Sequence, residues 1–280
     1  MRAVAFGDGR RPSLMTMGRW ALWTASGLSL GFILTPLVFV SWLAFFRQEI
    51  PSFPPEGYTL HWFANILDQH AMVNGFVLSA EVGLIATAIG LVLGVPASLA
   101  LARRSFAGRE GINTLLLMPL IVPGIVLGTA LYLGDIELEV DTGLPLTGTL
   151  AGLVIGHALL VIPWSVRLLA ASFAGLDLAI EEAAQSLGAR PFTVFRRVTL
   201  PAIRPGIVAA ALFGFVASFG NLETSLFLVG PGRTTLPIAI LQYLEWKIDP
   251  TIAAVSVVQI VLIGVAMVAT DRYVKLARVI

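Results

Sequence analysis

The chain is dominated by long apolar stretches that contain almost no Lys or Arg and are separated by shorter polar segments. A helix rises about 1.5 Å per residue, so about 20 mostly apolar residues are needed to cross the hydrocarbon core of a membrane. Stretches of this length run over residues 21–46, 73–102, 113–134, 149–171, 205–229 and 252–270. The pattern predicts an all-α fold, a polytopic membrane bundle of six transmembrane helices.

The basic residues predict how these helices are oriented. Of the 18 Lys and Arg residues, 15 fall in one alternating set of segments that includes both ends of the chain, whereas the other set holds only Arg47, Arg233 and Lys247. Cytoplasmic loops carry the excess of Lys and Arg in membrane proteins. Both termini are therefore predicted to be cytoplasmic, and the protein is assigned to the inner (plasma) membrane of the cell. The predicted outer loops are 47–72, 135–148 and 230–251.

The N-terminal segment, 1–20, contains arginines and could suggest a secretory signal. The apolar stretch that follows is much longer than the roughly 7–15 apolar residues of a signal peptide, and no small-residue cleavage site closes it. We therefore predict a cytoplasmic N-terminal segment and a retained first transmembrane helix (21–46). A core of five transmembrane helices (72–272) and a cytoplasmic tail (273–280) follow.

The composition adds mainly exclusions. Hydrophobic residues make up 57% of the chain and charged residues 12%, against roughly 45–50% and about 25% in soluble domains. A net charge of +1 argues against nucleic-acid binding, which needs a basic surface. Because there is no cysteine, disulfides, thiolate chemistry and Cys-ligated metals are excluded. No catalytic residue and no metal site are predicted.

The loop 172–204, between the fourth and fifth apolar stretches, has the signals of two short helices. Asp177 is placed to cap the first helix, and Gly188 to end it in the left-handed conformation that glycine tolerates. Pro191 can open the second helix as its first residue, and Pro201 is expected to end it. The sequence predicts a helix, a tight turn and a second helix.

Both short helices carry apolar residues at helical spacing. The residues are Ile180, Ala183, Ala184 and Leu187 on the first helix and Phe192, Phe195 and Thr199 on the second. One interpretation is that these residues pack on the ends of the protein's own helices. The other is a helix-in-groove contact with a soluble partner, for which two adjacent alanines allow close approach.

The residues of this loop follow a known pattern. Glu182-Ala183-Ala184, Gly188 and Val198-Thr199-Leu200-Pro201, separated by three and nine residues, resemble the EAA loop of type I binding-protein-dependent ABC importer permeases, with Val198 where Ile is usual. The resemblance extends over roughly residues 73–272. It implies the type I permease fold and a coupling role in the docking of an ATPase. The coupling residues would be Glu182, Ala183, Ala184, Gly188, Leu200 and Pro201.

The same resemblance implies the partners and cofactors. A phosphate-binding loop needs Gly-x-x-x-x-Gly-Lys, and neither Lys247 nor Lys275 lies in such a context. The chain is therefore not expected to be an enzyme or to hold a cofactor itself. ATP and Mg²⁺ would be bound by a partner ATPase dimer, beside a second permease subunit, similar but distinct, and a substrate-binding protein. The lipid bilayer is the remaining partner, and no nucleic acid is expected.

Polar residues inside the apolar stretches mark a candidate substrate path, because acidic groups are costly in a membrane. The candidates are Glu81, Ser218, Asn221, Glu223 and Ser225. On a regular helix Glu223 would lie nearly opposite Asn221. The four candidates of the fifth apolar stretch can therefore line one path only if Gly220 breaks the helix. Alternatively, the two glutamates pair with buried polar groups or lie at headgroup level, and His157 is an interhelical hydrogen-bonding residue.

The C-terminal third resembles one branch of the family. Residues 225–237 (SLFLVGPGRTTLP) and 249–254 (DPTIAA) are similar to spermidine/putrescine-type permeases. This implies a polyamine or a related organic cation as the solute, although similar permeases carry other solutes. An ion-driven secondary transporter would need coupling-ion ligands and usually internal repeats, and neither is evident. A membrane enzyme is a further alternative, with three histidines as its thin support.

Overall fold

The computed structural model describes residues 12–274. Of the predicted cytoplasmic ends, 1–20 and 273–280, the residues 1–11 and 275–280 lie outside the described residues, with Arg2, Arg10, Arg11, Lys275 and Arg278 among them. Within 12–274, extended backbone pairing is limited to an isolated bridge between Phe46 and Tyr58. The predicted all-α membrane fold is confirmed.

The α-helices are, in chain order, α1 (Pro12–Leu43), α2 (His61–Asp68), α3 (His70–Arg103), α4 (Arg109–Leu117), α5 (Gly124–Thr142), α6 (Leu150–Ala174), α7 (Leu178–Ser186), α8 (Pro191–Val194), α9 (Leu200–Ala202), α10 (Arg204–Phe219), α11 (Ser225–Leu228), α12 (Leu236–Trp246) and α13 (Thr251–Val274). A 3₁₀ turn, Met118–Leu120, follows α4, and a π-helical segment, Phe195–Thr199, joins α8 to α9.

Four single helices are long and apolar enough to cross a membrane, and these are α1, α3, α6 and α13. Two further spans are possible if each of two bent helix pairs counts as one. Among the described residues the number of spans is therefore between four and six, with six as the predicted number. The orientation of the termini stays a prediction.

The third apolar stretch, 113–134, is interrupted near its two prolines and is not one regular helix. Its helix ends in the 3₁₀ turn, and α5 begins at Gly124 after a bend of 105°. Pro123 is the N-cap of α5 and cannot donate a backbone hydrogen bond to the preceding turn. The predicted outer loop is corrected as well, since α5 continues to Thr142 and carries the acidic residues Asp135 to Asp141 on a helix.

The fifth apolar stretch, 205–229, is also interrupted. Helix α10 ends at Phe219 with Gly220 as its C-cap, and the chain becomes helical again only at Ser225. The helix is therefore broken at Gly220, which is the condition under which the polar residues of this stretch could line one path. The helical run that begins at Pro191 continues through the π-helical segment and ends at Ala202, so the predicted end of the second loop helix at Pro201 is confirmed to within one residue.

Two compact units can be distinguished, and the first comprises the residues up to Phe63 together with Asp249–Val257. In it, the segment after α1 is held by aromatic and backbone contacts. The indole N–H of Trp62 donates to the Phe46 carbonyl at 2.6 Å, and the Phe46 ring lies edge-on to Trp42. The Thr59 N–H donates to the Phe45 carbonyl at 2.8 Å, so this loop folds back on itself.

The second unit comprises Ala64–Ile248 and the residues from Val258 onward, and its core is formed by α3, α6 and α10. Gly90 of α3 and Gly214 of α10 both face the Val161 side chain of α6, which is fully buried. The absence of a side chain at both glycines lets three helices meet around one valine. Close approach at small residues is how membrane helices gain packing energy.

Candidate functional site

The loop 172–204 begins with the predicted capped helix. The Asp177 carboxylate accepts from the Ala179 N–H at 3.0 Å and caps α7. Gly188 has a φ of +84° and ends the turn after α7, and Pro191 is the first residue of α8. These local predictions are confirmed because each depends on the conformational preference of one residue.

The predicted apolar stripe of α7 faces outward. Ile180 is 52% exposed and Leu187 89% exposed, and Ala183 is exposed beside them. On the second helix Phe192 is 72% exposed. Three large apolar side chains in one short loop are therefore left uncovered by the described part of the chain.

The remaining residues of the predicted coupling set are distributed over two surfaces. Glu182 and Gly188 are exposed with Ala183, whereas Ala184 is half-buried. Leu200 is half-buried and Pro201 is exposed in α9, after the π-helical segment. The structure thus brings together on the outer side of α7 the part of the motif that contains the alanines.

The inner side of α7 carries a residue that the sequence did not single out. Glu181 is 9% exposed, and its carboxylate accepts from the Thr199 hydroxyl at 2.8 Å and from Arg103 Nη2 at 3.4 Å. Its second oxygen lies 3.3 Å from Arg103 Nε, close enough for an ion pair although not aligned as a hydrogen bond. Glu181 occupies the inward position of an amphipathic helix. The sequence alone does not show which side of that helix faces inward, so this role of Glu181 could be recognised only from the structure.

Arg103 is the last residue of α3, and two open cavities lie beside it. One has a volume of about 540 Å³ and is lined by residues of α3, α4, α6 and α7. The other has a volume of about 560 Å³ and is lined by residues of α3, α7, α8 and the π-helical segment. The guanidinium also lies over the Phe173 ring of α6, 5.8 Å from its centroid.

The break in the fifth stretch is held by a buried histidine. His157 of α6 is 1% exposed, with Nδ1 2.8 Å from the Ser218 hydroxyl and Nε2 3.0 Å from that of Ser225. Ser225 donates its single hydroxyl proton to the Asn221 carbonyl at 2.6 Å. Nε2 of His157 therefore donates to Ser225, and Nδ1 accepts from Ser218. His157 joins the two helical pieces across the break.

The candidate path residues divide accordingly. The hydroxyls of Ser218 and Ser225 are buried and hydrogen-bonded to His157. The side-chain oxygen of Asn221 accepts from the Thr224 N–H at 2.9 Å. Glu223 is exposed. Glu81 is also exposed, on α3. The structure therefore gives three of the five predicted residues a role in holding the backbone of the break.

The two breaks meet at Glu223. Its carboxylate occupies the space that a side chain at Gly124, the first residue of α5, would need, and its Cβ lies 3.0 Å from the position of such a Cβ. One turn further along α5, Gly128 faces the Thr224 backbone and the Phe227 ring. The spacing Gly124-x-x-x-Gly128 is a small-residue pattern that permits close helix contact.

The outer segment 230–251 contains a helix, α12, which packs against α3. The Leu236 N–H donates to the buried Ser79 hydroxyl at 2.9 Å, and Gly75 lies against the Leu236 backbone. At the end of α12, Trp246 is 86% exposed. This segment is fixed at its start and presents an apolar side chain at its end. Within residues 12–274 no group of three or more His, Asp or Glu has the arrangement of a metal site.

The sequence is similar to proteins of a known family. Residues 86–278 match the family model described as binding-protein-dependent transport system inner membrane component. The putrescine transport system permease protein PotI of Escherichia coli is 29% identical over 210 residues, which are 75% of this chain and 75% of that protein. A probable molybdenum ABC transporter permease protein of Haloferax volcanii is 35% identical over 186 residues, 65% of this chain and 67% of that protein.

A solved structure shares the fold. The crystal structure of a bacterial ABC transporter involved in the import of the acidic polysaccharide alginate contains a chain that superposes with a TM-score of 0.67 at 14% identity. The match covers 95% of this chain and 99% of the other. Because the family model spans more than half of the sequence and the helices follow the same architecture, the chain belongs to the inner membrane components of binding-protein-dependent transport systems, the multi-pass permease subunits of ABC importers.

Proposed function

We propose that this chain forms part of the translocation path of an ATP-driven importer and that α7 is the helix on which the ATPase docks. The observation that carries this proposal is the outward exposure of the α7 stripe, with Leu187 89% exposed. Exposed apolar residues on a short helix favour a partner groove over packing on the chain itself. The coupling residues would be Glu182, Ala183, Ala184, Gly188, Leu200 and Pro201.

The ATPase would be a dimer on separate polypeptides that bind ATP and Mg²⁺, and its closure would move the membrane helices. A second permease subunit, similar but distinct, would complete the path, and a binding protein would deliver the solute. The outer segment 230–251, with the exposed Trp246 at the end of α12, is the surface proposed to meet that binding protein. Both termini would lie in the cytoplasm, with 21–46 as a first helix and 72–272 as the transport core.

We infer that the solute is a polyamine or a related small organic cation. The exposed carboxylate of Glu223 at the junction of two helix breaks supports a cation, since an acidic group within a membrane is costly unless it has a function. The similarity to PotI supports the same class. The relative named for molybdenum supports the alternative that this permease carries another solute.

One reconstitution tests the proposal. The chain is purified with the nucleotide-binding subunits and the second permease subunit that accompany it and is placed in liposomes loaded with ATP and Mg²⁺, and the binding protein is added outside. We expect uptake of labelled putrescine or spermidine that stops when ATP is replaced by a non-hydrolysable analogue. ATP-dependent uptake of a different solute, with none of either polyamine, would correct the solute only. Uptake that follows an ion gradient without ATP would identify a secondary transporter and contradict the proposal.

A further inference from the structure

We propose that the ion pair between Arg103 and Glu181 is the mechanical link through which α7 moves α3. This inference rests on the proposed function, because it requires α7 to be the helix that an ATPase displaces. The three groups concerned are the Glu181 carboxylate, the Arg103 guanidinium and the Thr199 hydroxyl. Glu181 and Thr199 lie 18 positions apart in the loop 172–204, whereas Arg103 lies 78 positions before Glu181.

Glu181 and the exposed docking residue Ala183 occupy opposite sides of the short helix α7. At 3.6 residues per turn, Ala183 lies about 200° around the helix from Glu181. Burial follows the same division, since Glu181 is 9% exposed and Leu187 is 89% exposed. A displacement applied to the outer side of α7 therefore reaches Glu181 directly.

The ion pair crosses a gap instead of adding to a packed interface. Helix α7 packs on α8 and on the π-helical segment, and cavities of about 540 and 560 Å³ lie on the two sides of Arg103. The contact of α7 with the end of α3 is thus made by long polar side chains. Such a contact can transmit a movement only if the two charges stay together.

The environment of the pair favours that outcome. The side chains of Arg103 and Glu181 are 15% and 11% exposed, so neither charge is well solvated. Separating them would leave two largely buried charges without their partner, which is unfavourable. The pair therefore holds its contact, and the helix that carries Arg103 follows α7.

The link continues into the membrane core on two routes. Arg103 ends α3, which packs along α6 and α10, and its guanidinium also lies over Phe173 of α6. The Thr199 hydroxyl donates to Glu181 Oε1 at 2.8 Å. Thr199 is the last residue of the π-helical segment that leads through α9 into α10. One carboxylate thus connects the docking helix to the end of one membrane helix, α3, and to the segment that leads into the start of another, α10. Local π-helical turns are frequent at functional positions.

The test measures whether α7 and the end of α3 move as one body. The chain contains no cysteine, so Cys replacing Ala102 and Gln185, both exposed, are its only labelling sites when the purified subunit is spin-labelled before the complex is assembled. The distance between the labels is measured by pulsed electron resonance in the complete ATPase complex, first without nucleotide and then trapped with ATP, Mg²⁺ and vanadate. ATP hydrolysis and co-purification of the ATPase are recorded for each variant.

In the chain with the native ion pair, we expect the distance between the labels to be the same before and after trapping. In Glu181→Gln the distance should change on trapping by at least about 2 Å, the scale of helix shifts in switching proteins. Exchange of the charges, Arg103→Glu with Glu181→Arg, should restore the constant distance. The matched control is Arg104→Gln, since Arg104 is the exposed neighbour of Arg103, and it should behave as the native chain.

Several results would overturn the inference. A distance that changes on trapping in the native complex would show that the two helices move independently. A constant distance in Glu181→Gln would show that the ion pair is not needed for common movement. If Glu181→Gln and the exchange variant both fail to reach the membrane while Arg104→Gln succeeds, the pair serves folding and not transmission. A native chain that binds no ATPase would instead contradict the proposed function, and this inference with it.

Discussion

The carboxylate of Glu223 lies against Gly124, in the space that any larger residue at position 124 would fill. Glu223 belongs to the break between α10 and α11, and Gly124 is the first residue of α5 after the 105° bend. Two interruptions of apolar stretches therefore meet at one acidic side chain. Helix breaks at membrane depth are tolerated where the backbone lines a cavity or is buried in protein, and the proposal that Glu223 contacts the solute is tested at this junction.

The first prediction concerns the close approach at α5. Gly124→Ala should displace the Glu223 side chain, because the new methyl group would lie 3.0 Å from the Glu223 Cβ and would overlap its carboxylate. Uptake of polyamine by the reconstituted complex should fall roughly tenfold, about 1.4 kcal/mol in the transport barrier. Gly134→Ala is the control, since a Cβ at Gly134 meets nothing within 4 Å. Equal uptake by both variants would show that the contact is unimportant.

The second prediction concerns the charge of Glu223. Glu223→Gln keeps the shape of the side chain and removes its negative charge, so the apparent affinity for a cationic solute should weaken while ATP-driven turnover persists. Uptake kinetics with putrescine measure this. Glu81→Gln is tested in parallel because Glu81 is the other exposed acidic candidate. Unchanged kinetics for Glu223→Gln would remove that residue from the path, and a loss confined to Glu81→Gln would assign the path to α3.

The third prediction concerns the histidine in the membrane core. His157→Leu should leave the Ser218 and Ser225 hydroxyls without their buried partner, at a cost of about 1–3 kcal/mol. The midpoint of thermal unfolding of the detergent-purified chain should decrease accordingly. A matched substitution is Leu159→Ala, at a position of α6 that is 37% exposed, which should have a smaller effect. A stability equal to the native value in His157→Leu would show that the polar bridge does not hold the break.

The fourth prediction concerns the turn after α7. Gly188→Val places a β-branched residue at a φ of +84°, which costs at least about 1–2 kcal/mol, and it distorts the docking helix. Ala184→Asp adds a charge beside the docking side of α7. Both variants should insert in the membrane and lose ATP-dependent uptake and ATPase co-purification.

The matched control for the turn is Gly111→Val. Gly111 lies in α4 with open space around its Cα and without a positive φ. Retained uptake is expected for this variant. Normal uptake by Gly188→Val or by Ala184→Asp would contradict the assignment of α7 as the docking helix.

The parts of the loop that the sequence predicted correctly depend on single residues. Asp177, Gly188 and Pro191 each impose a local backbone preference that holds in any context, and all three act as expected. The end of the second helix near Pro201 was also predicted to within one residue, since the helical run from Pro191 ends at Ala202. The π-helical segment Phe195–Thr199 inside that run was not predicted.

The sequence alone determined that this protein is a membrane bundle and that the loop 172–204 contains capped short helices and an EAA-like pattern. Hydropathy, basic charge and helix caps can be read from residues that are close to one another in the sequence. Only the tertiary structure decided which polar residues meet. The Arg103–Glu181 pair joins residues 78 positions apart, and the His157–Ser225 contact joins residues 68 positions apart. Such contacts follow from the way helices pack, since a side chain buried in a bundle finds its partner on another helix and not along its own segment.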